Sequence, residues 1–128
     1  MNKKFKIVIC GSRHLKDYEF LKASVEDVIK KENIEYDNLQ IVSGHADGAD
    51  YLGERFAAEK GIPLKIFPAD WAKYGKAAGP IRNKQMVDYV KTDPCLVIAF
   101  ESENSKGTRN MIKQSEQAKI KVYRFKID

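Results

Sequence analysis

The chain has 128 residues and a formal net charge of +5, and 43% of its residues are hydrophobic. A chain of this length can bury a core without disulfides, and its composition is that of an ordinary globular protein. No apolar run approaches the roughly 20 residues of a membrane span, and residues 1–6 lack the apolar region of a signal peptide. These totals argue against a membrane protein and predict a cytoplasmic one.

The charge and the cysteines limit the partners further. The basic residues are scattered, which is typical of a solvated surface and suits an anionic ligand without requiring nucleic acid. Cys10 and Cys95 are too few for a disulfide framework and lack metal-ligand spacing. Both lie in apolar runs, so we expect buried free thiols and no metal site.

Five short apolar runs predict β-strands. Several of them are continuous rather than alternating, as expected for strands that are covered on both faces of a parallel sheet. The predicted strands are Phe5–Cys10, Leu39–Ser43, Leu64–Phe67, Cys95–Phe100 and Lys121–Phe125.

Helical patterns fill the segments between these strands. Phe20–Lys31 carries one apolar stripe, with Asp17 upstream as a helix cap. Gly48–Lys60 has a second stripe. Pro80 suits the first position of a third helix, and Thr108–Ala118 has the pattern of a fourth.

The alternation of strand and helix predicts a three-layer α/β domain. We expect a five-stranded, mainly parallel sheet in the order 3-2-1-4-5, with helices on both faces. The sequence shows no internal repeat, low-complexity segment or linker. Residues 1–128 are therefore predicted to form one domain.

Four loops rich in glycine or small residues follow the first four predicted strands. They contain the sequences CGSRH, SGHADGAD, PADWAKYGKAAGPIRN and FESENSKGTRN, and each one precedes a helical pattern. Ligands of an open parallel sheet bind beyond the carboxyl ends of its strands. Since bare N–H groups and helix N-termini favour negative charge, this edge of the sheet is predicted to bind an anion.

Known motifs narrow the chemistry. GHADGAD does not match the dinucleotide fingerprint GxGxxG, and GKAAG lacks the lysine and hydroxyl pair of a P-loop. There is no GxSxG sequence, and two histidines in different loops do not make a catalytic triad. Phosphate recognition without ATP hydrolysis is the remaining interpretation.

These loops resemble those of one family. VICGSR, VSGHADGAD, PADWAKYGKAAGPIRNKQMV and KGTRNMIKQSEQAKIKV resemble the YspA-type branch of the SLOG superfamily, named for SMF/DprA and LOG proteins. The resemblance runs from the first predicted strand to the last. It implies a Rossmann-like domain that binds nucleotides or ligands derived from NAD or ADP-ribose. Because the superfamily includes phosphoribohydrolases, signal sensors and a DNA-loading protein, it implies a ligand class more readily than a reaction.

The first loop supplies Gly11, Ser12 and Arg13, which all match the family motif. We expect the Ser12 N–H and hydroxyl to hold a phosphate while the Arg13 guanidinium binds it in a fork. The alternative is an ordinary turn with a surface arginine.

The candidates in the second loop are Gly44, His45, Ala46, Asp47, Gly48 and Asp50. Asp50 could accept hydrogen bonds from ribose hydroxyls or cap the following helix, and both interpretations stay open. His45 and Asp47 depart from the glycine and the small or basic residue that the resemblance leads us to expect. As two ligands, they do not make a metal site.

The third loop supplies Lys76, Gly79, Arg82 and Asn83 as candidates. Its glycines and alanines allow a ligand to approach the backbone closely, and Arg82 and Asn83 could bind phosphate or a base edge. The alternative is a loop packed on the sheet, with Arg82 in a structural ion pair. Trp71 is expected to pack in the core, whereas Tyr74 could either pack there or stack on a base.

Lys106, Gly107 and Thr108 resemble the second phosphate-binding loop of the family. This loop departs from the phosphoribohydrolase pattern, because it lacks the paired glycines and the glutamate that would help to cleave an N-glycosidic bond. Glu101 or Glu103 could substitute, although neither has positional support from the sequence.

Three functions follow, in descending order. The first is a non-enzymatic binding module that senses or sequesters a phosphate-bearing nucleotide or an ADP-ribose-like ligand, with no further cofactor. The second is an N-glycosidase that acts on a nucleoside monophosphate, with Asp50 or an acid near Glu101 as catalytic candidates. The third is single-stranded nucleic-acid binding, for which more aromatic residues would be expected. A homo-oligomer is compatible with all three.

Overall fold

A computed structural model describes residues 4–127. Its five strands pair in parallel throughout, in the order β3-β2-β1-β4-β5. This order and the parallel pairing confirm the predicted sheet. The strands are β1 (Phe5–Gly11), β2 (Leu39–Ser43), β3 (Leu64–Ile66), β4 (Cys95–Glu101) and β5 (Val122–Lys126).

Helices connect the strands and cover the sheet. They are α1 (Tyr18–Lys31), α2 (Ala49–Lys60), α3 (Trp71–Tyr74), α4 (Ala78–Val90) and α5 (Lys106–Gln117), with 3-10 turns at Tyr36–Asn38 and Gly75–Ala77. Among residues 4–127, none of the helices has the length and apolar character needed to cross a membrane.

The starts of the helices differ in part from the predictions. The Asp17 carboxylate accepts a hydrogen bond from the Phe20 N–H at 3.0 Å, which confirms the predicted cap of α1. Helix α4 begins at Ala78, so Pro80 is its third residue rather than its first. N–H groups in the first turn of a helix have no carbonyl partner within the helix, so a proline there costs no hydrogen bond. The third position is therefore as compatible with proline as the first. Helix α5 begins at Lys106, two residues before the predicted start.

Alternate residues of β1 and β4 face two apolar clusters. Ile7 and Ile9 belong to the first cluster, which also contains Leu21 of α1 and Phe56 of α2. Helices α4 and α5 cover the opposite face with the second cluster, which includes Met86 and Met111. Burial of one such side chain stabilises the fold by about 1.5–3 kcal/mol. The helices on both faces give the three layers that the sequence predicts.

The two cysteines differ in environment, although both are free thiols. Cys10 is buried in the second cluster, and burial raises the pKa of its thiol. Cys95, at the start of β4, is only half-buried. The expectation of two buried thiols is therefore wrong for Cys95.

Candidate functional site

A cavity of about 720 Å³ lies beyond the carboxyl ends of β1 and β4 and beside the first turns of α4 and α5. Its volume falls in the range of small-molecule sites, roughly 300–1,000 Å³. Most of the residues predicted from the four loops line it. These are Gly11, Ser12, Arg13, Ala46, Asp50, Lys76, Gly79, Arg82, Asn83, Lys106, Gly107 and Thr108.

Four predicted residues, all in the loop between β2 and α2, do not line this cavity. Asp47 is exposed, and the His45 ring pairs through Nδ1 with the Glu54 carboxylate at 2.9 Å. Gly44 instead lies against the side chains of Arg82 and Asp50, and Gly48 lies against the backbone of Ser12 and Arg13. The structure therefore does not bring Gly44, His45, Asp47 and Gly48 to the cavity wall, and their direct contact with a ligand stays a prediction.

Gly48 joins the loops that follow β1 and β2. Its φ of +79° lies in a region that favours glycine, and an added Cβ would collide with the carbonyl group of Ser12 and the backbone of Arg13. The next residue, Ala49, donates its N–H to the Ser12 carbonyl at 3.0 Å. Gly48 thus shapes the site by allowing the two loops to touch.

Ser12 uses its backbone differently from the prediction. Its N–H donates to the Phe100 carbonyl at 2.7 Å, so this amide is engaged by β4 and does not face a phosphate. The hydroxyl accepts from the His14 N–H at 3.1 Å and from the Ser102 hydroxyl at 3.2 Å. Among the described residues, the Ser12 hydroxyl proton has no acceptor, so this group can still donate a hydrogen bond.

The Ser12 hydroxyl continues a chain of hydroxyl groups. The oxygens of Ser102 and Ser105 are 2.7 Å apart, and the Ser102 N–H donates to the Ser105 hydroxyl at 2.9 Å. All three serines line the cavity. Ser102 and Ser105 lie in the loop whose predicted binding residues are Lys106, Gly107 and Thr108. The polar spacing of the two serines in FESENSKGT is the signal that could have found them.

Arg82 is 9% exposed and points from α4 under the loop that follows β2. Its Nη1 donates to the Gly44 carbonyl, and its Nε donates to Asn83 Oδ1 at 3.0 Å. A side chain at Gly44 would place its Cβ 2.6 Å from Nη1, so the Arg82 guanidinium would have to move to admit it. This supports the structural interpretation of Arg82, with a backbone carbonyl in place of the expected ion pair.

One nitrogen of Arg82 nevertheless stays available. Among residues 4–127, Nη2 has no hydrogen-bond partner. Every buried side-chain nitrogen in that range does have a partner, so Nη2 is not buried. Nη2 is therefore accessible to solvent, and Arg82 is one of the residues that line the cavity.

Asp50 is 4% exposed and lies on the wall of the cavity. Its Oδ2 accepts from the Ala46 N–H at 3.3 Å, and the helix itself begins after Gly48 without a side-chain cap. The predicted capping role is therefore wrong. Burial raises the pKa of Asp50 from 3.8 to about 6, against the opposing effect of the nearby Arg82 guanidinium.

Asn83 fixes the start of α5 against α4. Its Nδ2 donates to the Gly107 carbonyl at 3.2 Å and to Asn110 Oδ1 at 3.0 Å. The Gly107 and Thr108 N–H groups have no hydrogen-bond partner among the described residues, as expected in the first turn of a helix. Because Gly107 and Thr108 line the cavity, this end of it is able to accept an anion.

Basic side chains outnumber acidic ones at the cavity. Arg13, Lys76, Arg82 and Lys106 line it, and the carboxyl groups there belong to Asp50 and Glu103. Within residues 4–127, no group of three His, Cys, Asp or Glu side chains has an arrangement that could hold a metal ion. The cavity is therefore suited to a negatively charged ligand.

Trp71, Tyr74 and Glu101 differ in how they lie relative to the cavity. Trp71 is 48% exposed and lines the cavity, so its predicted place in the core is wrong. Tyr74 is 38% exposed and does not line the cavity. Glu101 is buried beside Arg124, whose Nε donates to it at 2.8 Å, and this ion pair lies outside the cavity.

The family model of the YspA, cpYpsA-related SLOG family, YAcAr, matches residues 5–74 of this chain. The chain belongs to this family. The predicted resemblance is thereby confirmed, and membership of the YAcAr family indicates nucleotide-related binding. A similar protein, the Gene 61 protein of Mycobacterium phage D29, is 33% identical over 125 residues, which cover 94% of this chain and 95% of that protein.

The YAcAr-family chain is also similar in structure to DNA processing protein A (DprA) from Streptococcus pneumoniae. The TM-score is 0.67 at 20% sequence identity, and the match covers 96% of this chain. The chain spans 50% of the length of that DprA chain. At this identity the similarity establishes the Rossmann-like fold alone.

Proposed function

We propose that this protein binds a phosphate-bearing nucleotide derivative in the cavity and senses or sequesters it. The observation that carries the proposal is the pair of open N–H groups at Gly107 and Thr108, beside Lys106 on a cavity that three further basic side chains line. An anion at a helix N-terminus gains typically 0.3–1 kcal/mol from the helix dipole alone. Charge-assisted hydrogen bonds from Lys106 and Arg13 would add to this.

The size and chemistry of the cavity favour a nucleotide over a free phosphate. Its volume of about 720 Å³ exceeds what one phosphate fills, and it includes the apolar side chains of Met86 and Met111. A ligand such as ADP-ribose would offer phosphates to the basic groups and flat or apolar surface to the rest. Asp50 is within the same wall, where a carboxyl group can bind ribose hydroxyls.

The first test is to identify what the protein carries. Protein purified under native conditions is denatured, and mass spectrometry of the released small molecules should show a nucleotide or an ADP-ribose-like species. Calorimetric titration of ligand-free protein with AMP and ADP-ribose then gives affinities. If none of the common nucleotides is carried or binds, the proposal is wrong.

Two lysines of α5 provide a matched pair of variants. Lys106 lines the cavity, whereas Lys113 is exposed on the same helix and does not line it. Lys106→Ala should weaken binding of the titrated nucleotide about five- to tenfold, since an exposed charge loses on the order of 1 kcal/mol. Lys113→Ala makes the same change of charge and should leave affinity unchanged. Equal losses in both variants would indicate a general charge effect and no site at α5.

A second function, N-glycosidic bond hydrolysis, is favoured by one observation. The Asp50 carboxyl lines the cavity and has its pKa raised to about 6, near the range in which a carboxyl can donate a proton at neutral pH. Incubation with nucleoside monophosphates would then release free base and ribose 5-phosphate, detected by chromatography. Asp50→Asn should abolish the release while Asp47→Asn, a change of an exposed residue in the same loop, preserves it.

Nucleic acid has less support at this site. The structurally similar DprA is a DNA processing protein, but a groove for single-stranded DNA needs a series of stacking aromatic residues. Among the described residues, the cavity lining includes Trp71 and no Phe or Tyr. Binding of an oligonucleotide that competes with AMP and weakens steeply with salt would favour nucleic acid over the proposed ligand.

A further inference from the structure

We propose that Trp71 is the base-stacking wall of the cavity, so that the ligand class narrows to molecules that carry a planar base as well as a phosphate. This inference rests on the proposed function and adds to it the chemistry that distinguishes a nucleotide from a sugar phosphate. Trp71 is placed by the structure at the cavity and not, as expected, in the core.

The environment of Trp71 is unlike that of an aromatic residue that anchors a loop. The side chain is 48% exposed, and residues 71–77 are exposed throughout. The tip of the indole ring lies over Gly79, where Cη2 is 3.5 Å from the position that a Cβ would occupy. The ring therefore rests on the backbone of the first turn of α4 and leaves much of its surface open. Tryptophan is highly buried on average, so its exposure beside a cavity requires a reason.

Arg13 faces the ring from the loop after β1. The central carbon of its guanidinium is 5.6 Å from the centroid of the Trp71 ring, which is within cation–π range but longer than a stacked contact of about 3.5–4.0 Å. Two stacked layers would need about 7 Å, roughly twice the carbon contact distance. Since the Arg13 side chain is exposed, a shift of less than about 2 Å would let a base enter between the two groups.

The spacing along α4 relates the ring to the anion-binding end. Trp71 rests on Gly79, and Asn83, one turn later, donates to the Gly107 carbonyl at the start of α5. Four residues of helix rise about 6 Å. The Trp71 ring and the open N–H groups of Gly107 and Thr108 therefore lie at the same cavity. One turn of α4 separates Gly79, which the ring contacts, from Asn83, which binds the start of α5.

Because Trp71 is the sole tryptophan of the sequence, its fluorescence reports directly on this contact. The probes are the four common nucleoside 5′-monophosphates, ADP-ribose and, as the base-free control, ribose 5-phosphate. We expect at least one nucleotide to quench the fluorescence on binding and to bind at least tenfold more tightly than ribose 5-phosphate. Equal affinities with unchanged fluorescence would overturn the role of Trp71 and leave phosphate binding intact.

Three variants separate stacking from a structural role, with circular dichroism to check folding. Trp71→Ala should weaken nucleotide binding at least tenfold without changing the affinity for ribose 5-phosphate, and Trp71→Phe should restore most of the loss. Tyr74→Ala removes an exposed aromatic of the same segment that lies outside the cavity, and should have no effect. Equal losses for both kinds of probe would show that Trp71 acts on structure alone. If no probe binds the wild type, the proposed function fails, and this inference fails with it.

Discussion

A buried cluster beneath the cavity contains Gly44, Arg82 and Asp50. The Cβ position of Gly44 is 2.6 Å from Arg82 Nη1 and 2.9 Å from Asp50 Oδ2, so the absent side chain makes room for both charged groups. An arginine and an aspartate held this close with little exposure give up hydration that neither fully recovers. This is a place where the fold sacrifices stability to keep polar groups at a site.

The buried carboxyl predicts a specific dependence of stability on pH. The pKa of Asp50 is about 6 in the folded chain and 3.8 in a solvated aspartate, so the unfolded state releases its proton first as the pH rises. Between these values the free energy of unfolding falls with rising pH, on the order of 3 kcal/mol in total. Asp50→Asn removes this term. Its free energy of unfolding, relative to the wild type, should therefore increase between about pH 4 and pH 7 in urea titrations.

If the free energies of unfolding of Asp50→Asn and the wild type differ by a constant amount over that pH interval, Asp50 is ionised throughout it. Asp47→Asn is the matched control, since Asp47 is exposed in the same loop. The free energy of unfolding of Asp47→Asn, relative to the wild type, should stay nearly constant over the same pH range.

Gly48 gives a second test of a single position. Gly48→Ala forces a side chain into a backbone with φ of +79° and against the Ser12 carbonyl, so we expect a loss of at least about 2 kcal/mol. Gly107→Ala is the comparison, because an added Cβ there meets nothing within 4 Å. Thermal unfolding should show a clear fall in Tm for the first variant and little change for the second. Similar Tm values for both would mean that the loops rearrange easily around Gly48.

Sequence reasoning located residues that lie at strand ends, since parallel pairing brings those ends to one edge. Arg13, Asp50 and Lys106 were found in this way. It could not find the inward placement of Gly44, which depends on where Arg82 reaches from a helix distant in the chain. Trp71 was misplaced because the residue type favours a core, whereas its exposure depends on how the loop before α4 folds.

Helices α4 and α5 act together as one side of the site. They pack side by side on the second apolar cluster through residues such as Met86 and Met111. The Asn83 amide donates hydrogen bonds to the Gly107 carbonyl and the Asn110 side chain of α5. Its oxygen accepts another from Arg82 Nε within α4. The apolar pattern of each helix was predictable, but these ties between helices were not, because they depend on the relative placement of two segments.

These hydrogen bonds predict that removing the Asn83 amide has a large effect on the free energy of unfolding. Asn83→Ala removes three hydrogen bonds from a residue that is 3% exposed, and we expect a loss of about 2–4 kcal/mol in the free energy of unfolding. Asn104→Ala alters an exposed amide at the cavity and should change stability by less than about 0.5 kcal/mol. Urea unfolding of the two variants measures the difference. A loss below about 1 kcal/mol for Asn83→Ala would show that water replaces its partners readily.

The molecule as a whole combines a net charge of +5 with a cavity of about 720 Å³ that basic groups line. The core was the most predictable part, since strand order and helix placement follow from apolar patterns and parallel topology. The short α3 was missed, because four residues carry too little periodicity to indicate a helix.

Ligand binding should stabilise the entire fold in a concentration-dependent way. A nucleotide at one hundred times its Kd adds about 2.7 kcal/mol, and for a chain of this size each kcal/mol raises Tm by about 4 °C. We therefore expect Tm to rise by about 10 °C, measured by scanning calorimetry against increasing AMP or ADP-ribose. A Tm that stays constant up to millimolar ligand would contradict binding to the folded state.

The central strand of the sheet lies near the start of the described chain. In β1, Lys6 pairs with Cys95 of β4, which follows 89 residues later. During synthesis on the ribosome, β1, β2 and β3 can associate with α1 and α2 well before β4 emerges. Until α4 and α5 have also emerged, Val8 and Val42, which are fully buried in the finished protein, would lack the cover of these two helices. The nascent chain thus presents a transient apolar surface of the kind that molecular chaperones recognise, and a premature stop after α2 would leave it permanently uncovered.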